Sequence, residues 1–145
     1  MRVALMADTH NQLPDRLVEQ LAAADAIWHL GDVCDPRILA PLEALGVPPL
    51  IVRGNNDANP EWPLYLRETV GEHRCFLIHI APRRMPADTE VLLHGHTHVP
   101  RDEVVDGVRV LNPGCIGRPN RGAPRSFAWL TLKEDGSLDW RLELL

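Results

Sequence analysis

Most of the short apolar runs in this sequence end at a side chain that can bind a metal ion. The carboxyl ends of the strands in an open α/β sheet meet at one edge, so residues that follow different strands converge although they are distant in sequence. The pattern therefore predicts an α/β fold with a metal site at the carboxyl ends of its strands. The side chains in question are Asp8, His10, Asp32, Asn55, His79, His96 and His98.

The first half of the chain alternates between predicted strands and predicted helices. Short apolar runs typical of buried strands are separated by two amphipathic stretches. Pro14 suits the first turn of the first helix, and Gly46 is placed to end the second. This alternation predicts an α/β beginning. The predicted strands cover 2–7, 26–30 and 50–52, and the predicted helices run from Pro14 to about Ala24 and from Asp35 to Leu45.

The second half of the chain is predicted to be rich in β-hairpins. The pair Asp106-Gly107 between apolar residues is a strong signal for a two-residue turn. We therefore expect two sheets with few helices outside them. Because the chain has no internal repeat or linker, residues 1–145 are predicted to form one domain. The predicted turns are Gly71-Glu72-His73, Asp106-Gly107 and Glu134-Asp135-Gly136.

The composition excludes several kinds of partner. The formal net charge is −5, whereas proteins that bind nucleic-acid polymers usually carry a positive surface. No apolar run approaches the roughly 20 residues that a membrane span needs, and Asp8 comes too early for a signal peptide. The three cysteines lack metal-binding spacing and indicate free thiols. These features predict a cytoplasmic protein that binds neither a membrane nor a nucleic-acid polymer.

The candidate ligands offer only nitrogen and oxygen atoms, a set that suits first-row divalent cations. Seven such ligands suit two cations with water completing each shell, and a single ion would leave several without a purpose. Two cations carry four positive charges, of which Asp8, Asp32 and a bridging hydroxide offset three. The remaining positive charge would attract a phosphate anion and stabilise charge on its oxygens.

The segments that contain the candidate ligands resemble, in their order along the chain, the motifs of the calcineurin-like metallophosphoesterase superfamily. The segment Asn112-Pro113-Gly114-Cys115 is similar to the Asn-Pro-Gly-Ser segment of its small bacterial and archaeal branch of phosphodiesterases. The resemblance extends from Val3 to about Trp129, and its specificity lies in the complete ordered set. The other matching segments are Asp8-Thr9-His10, Gly31-Asp32, Gly54-Asn55-Asn56-Asp57, His79 and Gly95-His96-Thr97-His98.

The resemblance implies a four-layer αββα sandwich of two mixed sheets with two metal ions between them. It also implies a phosphoesterase, more often of diesters than of monoesters, in which a metal-bridging hydroxide attacks phosphorus in line. Mn²⁺ is the expected cation, with Zn²⁺, Fe, Ni²⁺ or Co²⁺ as alternatives, and the substrate is a small phosphate ester. By motif correspondence, one ion takes Asp8, His10, Asp32 and His98, and the other takes Asp32, Asn55, His79 and His96.

The sequence departs from the family pattern at three places. Asn56 stands where many members have a histidine that is credited with protonating the leaving group or holding the phosphate. An amide donates a hydrogen bond but transfers no proton at pH 7. Ile80 follows His79 where the family usually has glycine. Only sixteen residues, Pro82 among them, separate His79 from His96, so the helix that relatives often have there is expected to be shortened or lost.

Four further residues are candidates for the site. Asn56 and Asp57 are candidate catalytic residues, although Asp57 is equally consistent with a carboxylate that holds its own turn. Arg118 and Arg121 are candidate substrate-binding residues that would present guanidinium groups to a phosphate. A solvated basic loop is the alternative for both arginines.

A non-catalytic interaction scaffold on the same fold, as in the retromer subunit that resembles this branch, is the alternative function. Such members have lost some site residues, whereas every ligand position is filled in this chain, which favours the enzyme. A shortened cover over the site makes a homo-oligomer plausible. The specific substrate is not encoded in any of these motifs.

Overall fold

The computed structural model describes residues 1–145, which form ten strands and three short helical segments. None of these helices is long and apolar enough to span a bilayer. The helical segments are α1 at Asp15–Leu21, a 3₁₀ helix at Pro36–Leu39 and α2 at Ala40–Glu43. The strands are β1 Arg2–Met6, β2 Ala26–His29, β3 Leu50–Ile51, β4 Tyr65–Val70, β5 His73–Ile78, β6 Val91–Leu93, β7 Arg101–Val105, β8 Val108–Asn112, β9 Ser126–Leu132 and β10 Leu138–Leu144.

The helices are shorter than the sequence predicts. Pro14 has an extended backbone and precedes α1 as its N-cap, so it does not lie inside the first turn. The helix predicted over 35–45 is divided into two segments. The Asp35 side chain accepts a hydrogen bond from the Arg37 N–H and starts the 3₁₀ helix. Pro41, which has no N–H to donate, lies at the start of α2.

The first sheet has the strand order β10-β9-β1-β2-β3. Its strands β1, β2 and β3 are parallel, and β9 and β10 are antiparallel additions at one side. The register aligns Met6 of β1 with His29 of β2. Because these strands are parallel and nearly in step, the loops that follow them leave the sheet at the same edge.

The second sheet has the strand order β4-β5-β6-β8-β7. Strands β5, β6 and β8 are parallel, and the hairpins β4–β5 and β7–β8 supply both edges. Asp106 and Gly107 both have positive φ, at 51° and 78°, as a type I′ turn requires, so the predicted two-residue turn is confirmed. In the other hairpin His73 is already part of β5, and the turn is Gly71-Glu72.

The two sheets pack face to face, as predicted. Alternate residues of β1 divide between two cores: Val3 and Leu5 face the second sheet, while Ala4 and Met6 face the helices. The mixed-sheet sandwich with the predicted site residues at strand ends is confirmed.

The outer layer over the second sheet contains no helix. There Phe76 and Leu92 are covered by Ala81 and Met85 of the irregular segment 80–90. This agrees with the expectation that the short connection after His79 has lost its helix, and the fold has one helical outer layer instead of two.

Candidate metal centre

The loops that follow five of the strands meet at one end of the sandwich. All seven predicted ligands lie in these loops, and the structure brings them together. Asp8 and His10 come from the loop after β1, Asp32 from the loop after β2, Asn55 from the loop after β3, His79 from the loop after β5, and His96 and His98 from the loop after β6.

Four side chains point at one spot. One ligand atom from each of Asp8, His10, Asp32 and His98 lies within 4.8 Å of the others. His98 Nε2 is 3.3 Å from Asp8 Oδ1, and His10 Nε2 is 3.6 Å from Asp32 Oδ2. Two carboxylates and two imidazole nitrogens around one point form the donor set that first-row divalent cations take.

A second group of donors lies beside the first. Asn55 Oδ1 is 3.0 Å from His79 Nε2 and 3.0 Å from His96 Nδ1. His79 Nε2 is also 3.4 Å from Asp32 Oδ2. Asp32 Oδ2 is therefore close to nitrogen atoms of both groups, which is the position that a bridging carboxylate needs.

Two of the histidines are held by hydrogen bonds on the side away from the centre. His79 Nδ1 donates to the Leu30 carbonyl at 2.7 Å, and His98 Nδ1 donates to the Arg118 carbonyl. These bonds turn Nε2 of each ring towards the carboxylates and select the tautomer that leaves Nε2 free to bind a metal. Burial lowers the pKa of His79, which favours the neutral ring that such binding requires.

The surroundings of Asp8 indicate a cation. The residue is fully buried. Its Oδ2 accepts the His96 N–H at 3.0 Å, but its buried Oδ1 has no hydrogen-bond partner. Burial, together with the charge of Asp32, raises the pKa of Asp8 to about 8. Because an unpaired buried carboxylate is costly, a cation next to Oδ1 would be strongly favoured, and the residues fit a divalent metal.

Asp32 is held by its neighbour Asn56. The Asn56 backbone N–H donates to Asp32 Oδ1 at 2.8 Å, and the Asn56 side-chain amide donates to Asp32 Oδ2 at 2.8 Å. Burial alone would raise the pKa of Asp32, but these two hydrogen bonds and the nearby imidazoles of His79 and His10 together outweigh it, and the pKa lies below its usual value. Asn56 therefore helps to keep Asp32 ionised and fixes its orientation between the two donor groups.

Asp57 makes hydrogen bonds that hold two loops together. Its Oδ2 accepts the N–H groups of Asp32 at 2.8 Å and Gly54 at 2.7 Å, and its Oδ1 accepts the N–H of Cys34 at 2.8 Å. Both oxygens are thus occupied by backbone donors. Of the two roles that the sequence allows for Asp57, this geometry favours the structural one, because neither oxygen is left for proton transfer.

The ligand loops have an unusual backbone. Non-glycine residues seldom adopt positive φ, and such strain is concentrated at functional sites. Gly54 is required for a different reason: a Cβ there would lie 2.2 Å from Asp32 Oδ1, so only glycine permits this approach. The candidate ligands with positive φ, between 43° and 69°, are Asp8, His10, Asp32, His96 and His98.

The two candidate substrate-binding arginines lie near different ligand histidines. The Arg118 carbonyl accepts the hydrogen bond from His98 Nδ1, so Arg118 lies next to the first donor group. Arg121 is exposed and lines a cleft beside His96. Neither guanidinium has a carboxylate partner within 4.0 Å, so both are free to meet an anion.

Asn112 is a supporting residue whose role sequence reasoning did not identify. Its side-chain amide donates to the Gly95 carbonyl at 3.0 Å and to Thr97 Oγ1 at 3.1 Å. Its Oδ1 accepts the Gly114 N–H at 2.9 Å. The sequence shows Asn112 only as the first residue of a segment that resembles a family motif, and the structure shows that this asparagine holds the loop that carries His96 and His98.

Two further supports are visible only in three dimensions. His29 is fully buried, accepts the Gly31 N–H at its Nδ1 and lies 3.1 Å from Thr9 Oγ1 through its Nε2, which ties the first two ligand loops together. Cys34 places its Sγ 3.6 Å from His10 Nδ1. Nothing local in the sequence indicates these partners.

A sandwich of two mixed sheets with an Asp/His cluster at the strand ends defines a metal-binding class of α/β protein. The family model described as "Calcineurin-like phosphoesterase superfamily domain" matches residues 1–135. The chain belongs to the calcineurin-like phosphoesterase superfamily.

Individual relatives agree with this membership. The chain is 30% identical to phosphodiesterase YfcE of Escherichia coli, over 90% of this chain and 87% of that one. It is also 30% identical to a probable metallophosphoesterase of Methanothermobacter thermautotrophicus, over 94% and 87% of the two chains. The solved structure of YfcE superposes with a TM-score of 0.82 at 26% identity, covering 97% of this chain and 98% of that one.

Vps29 of Entamoeba histolytica, solved in complex with Zn²⁺, shares the fold. Its TM-score is 0.77 at 19% identity, and the match covers 99% of both chains. At this identity the likeness concerns the fold alone.

Proposed function

We propose that this protein is a phosphodiesterase whose active site holds two divalent cations. The observation that carries the proposal is the pair of adjoining donor groups with Asp32 Oδ2 between them and the unpaired Asp8 Oδ1 at their centre. The names of two relatives, a phosphodiesterase and a probable metallophosphoesterase, support the same activity.

The ligands divide between two positions. Asp8, His10 and His98 would hold one cation, Asn55, His79 and His96 would hold the other, and Asp32 would contact both. When bound, the cations would supply the Lewis acidity that activates a water molecule for in-line attack and offsets charge on the phosphoryl oxygens.

The other residues of the chain orient this centre and its substrate. Asn56 fixes the Asp32 carboxylate through two hydrogen bonds, and Asp57 fixes the loops on which Asp32 and Asn55 stand. Arg118 and Arg121 would attract the phosphate, since guanidinium groups match phosphate oxygens in geometry and charge. The residue that follows Asn55 in the sequence is Asn56 and not a histidine, so this position offers no donor for protonation of the leaving group.

The donor chemistry fits Mn²⁺, the cation that the family resemblance implies, and other first-row divalent cations. The two groups offer carboxylate, amide and imidazole atoms, and Cys34 Sγ lies against the Nδ1 face of His10 instead of joining the donors. The three oxygen ligands suit Mn²⁺, and the four imidazole ligands also suit Zn²⁺, Fe, Ni²⁺ and Co²⁺. We further infer one domain over 1–145 and a cytoplasmic location. A homo-oligomer stays a prediction, testable by sedimentation.

The test is metal analysis combined with a substrate panel. The protein is stripped with chelator, loaded with Mn²⁺ and assayed with bis(p-nitrophenyl) phosphate and p-nitrophenyl phosphate while bound metal is counted by mass spectrometry. We expect two metal ions per chain, hydrolysis that depends on them, and preference for the diester. Loss of activity in His96→Ala, with activity retained in His73→Ala outside the centre, would assign hydrolysis to this site. One ion at saturation would contradict the two-cation centre.

The non-catalytic scaffold stays the alternative. Its support is the likeness of this fold to that of Vps29. At 19% identity, this likeness shows a shared fold and says nothing about a shared function. The scaffold predicts no metal-dependent hydrolysis of any phosphate ester by purified protein. The same substrate panel therefore distinguishes the phosphodiesterase from the non-catalytic scaffold.

A further inference from the structure

A polar cleft opens beside His96, next to the proposed cation positions. Its volume is about 730 Å³, and ten residues from 94–103 and 120–121 line it. One face comes from the loop after β6 and the start of β7, and the other from the loop that carries Asn120 and Arg121. A phosphodiester held at the metal centre has two substituents, and this cleft is where one of them would lie.

Most of the residues that line the cleft have hydrogen-bonding side chains. They are eight of the ten, the other two are Val99 and Pro100, and no phenylalanine, tyrosine or tryptophan contributes. A nucleobase would find no aromatic ring on which to stack. An alkyl chain would bury charged groups without compensation. Both kinds of substituent are therefore disfavoured.

Paired charges alternate along one wall. The Arg101 guanidinium bonds to the Glu103 carboxylate and reaches His94 Nε2 at 3.3 Å, while Asp102 is paired with Arg109 at 2.9 Å. Each pair places acceptor oxygens next to N–H donors. A hydroxyl group is both a donor and an acceptor, so a substituent with several hydroxyls can bond to neighbouring members of these pairs without disrupting them.

The opposite wall leaves a cation and an amide exposed. Arg121 has no ion-pair partner within 4.0 Å, and its N–H is bonded to Asn120 Oδ1 at 2.9 Å. Its guanidinium is free for a phosphate oxygen, and the Asn120 amide makes only one long contact, of 3.4 Å, to the Thr97 carbonyl. The unpaired charge of Arg121 therefore suits the phosphate, and the Arg101–Glu103 pair and Asn120 suit its substituent.

From this cleft we infer that the substrate is a phosphodiester of a hydroxyl-rich alcohol, a polyol or a sugar, whose hydroxyls bind between the Arg101–Glu103 wall and Asn120. The inference rests on the proposed phosphodiesterase function and specifies its substrate class. The cleft is larger than one glycerol unit, which leaves room for a sugar ring.

The test uses a set of diesters that share p-nitrophenol as the leaving group and differ in the second substituent: glycerol, n-butanol, thymidine linked through its 5′ oxygen, or methanol. With the Mn²⁺-loaded protein we expect kcat/KM for the glycerol ester to exceed that of the butyl and thymidine esters by about tenfold, the effect of one or two net hydrogen bonds. Equal or higher values for the butyl or thymidine ester would overturn the inference while leaving the phosphodiesterase function intact. Hydrolysis of none of the four would mean failure of the proposed function instead.

Two variants assign the preference to this cleft. Val99→Phe fills the cleft, and Glu103→Ala removes an acceptor from its wall. Each should lower kcat/KM for the glycerol ester about tenfold and change that of the methyl ester less than twofold. The matched control is Glu68→Ala on β4, at the other edge of the same sheet, which should change neither. A glycerol preference that survives both cleft variants would place the polyol elsewhere and refute the assignment.

Discussion

The Nε2 atoms of His10 and His98 lie 3.3 Å apart although 88 positions separate the two residues. The outward nitrogen of His98 is already bonded to the Arg118 carbonyl, and burial lowers the pKa of His10. If both rings present their Nε2 lone pairs, as metal ligands do, a cation between them and the nearby Asp8 and Asp32 oxygens would remove the repulsion between these atoms. The close approach of His10 and His98 therefore supports the proposal that a cation binds at this position.

The bridging position of Asp32 can be tested by comparing two variants. Because Asp32 Oδ2 is within 3.6 Å of His10 Nε2 and 3.4 Å of His79 Nε2, Asp32→Asn should weaken both metal sites. His10→Ala should weaken mainly one, since His10 belongs to the first donor group alone. Metal content after dialysis against a graded series of Mn²⁺ concentrations measures both. A variant at Asp32 that still holds two ions as tightly as wild type would show that the carboxylate does not bridge.

Asp8 should make the metal-free protein less stable as the pH rises. Its pKa in the folded state is raised to about 8 from an unfolded value near 3.9. The protonated form of Asp8 therefore makes its full contribution to the free energy of unfolding below about pH 4. This contribution, on the order of several kcal/mol, is lost as the pH rises towards 8. Asp8→Asn mimics the protonated acid at every pH.

The measurement is thermal unfolding of chelator-treated wild type and Asp8→Asn. We expect similar stability at pH 5 and a more stable variant at pH 8, and comparing the two proteins cancels the titration of the buried histidines. Saturating Mn²⁺ should reverse the order at pH 8, because a cation stabilises the ionised carboxylate. The same stability difference at pH 5 and pH 8 without metal would contradict the prediction.

Replacement of Asp57 should lower the stability of the fold, because Asp57 has a structural role and not a catalytic one. Asp57→Asn replaces a carboxylate that accepts three backbone N–H groups by an amide with one acceptor. We expect a loss of roughly 2–4 kcal/mol in unfolding free energy and weaker metal binding, because the loops of Asp32 and Asn55 lose their common anchor. Asp15→Asn, an exposed carboxylate in the first turn of α1, serves as the control. If Asp57→Asn unfolds like wild type and loses only kcat, Asp57 acts in catalysis after all.

The presence of Asn56 should make the rate of hydrolysis depend strongly on the pKa of the leaving group. An amide bonded to Asp32 cannot protonate a departing alkoxide, so rates for a series of aryl phosphodiesters should fall steeply as the pKa of the leaving group rises. General acid catalysis is worth about 10²–10⁴-fold, and Asn56→His should recover part of it for the more basic leaving groups. A flat dependence in wild type would assign the proton to another donor and leave Asn56 with orientation of Asp32 alone.

Local patterns in the sequence predict much of this fold. The strands β1, β2 and β3, the three hairpins of the second half and the ordered ligand motifs are all visible in residue types and spacing. Strand β6 was not predicted as a separate element, because three apolar residues between a turn and a glycine carry too little periodicity. Strand β7 begins three residues before the apolar pair Val104-Val105, since the polar residues 101–103 gain their extended form from pairing with β8.

What the sequence determined by itself is which residues stand at the strand ends, because strands and turns follow from side-chain periodicity and from the preferences of glycine, proline and aspartate. Only the tertiary structure decided what those residues contact. From the sequence alone, Asp57 fits either a turn residue or a catalytic residue. In the structure, the N–H groups of Asp32 and Cys34, 23–25 positions away, donate to its carboxylate and favour the first role. Asn112 likewise reaches Gly95 across 17 positions. Hydrogen bonds between loops depend on how two sheets pack, and no local pattern records the partner at that distance.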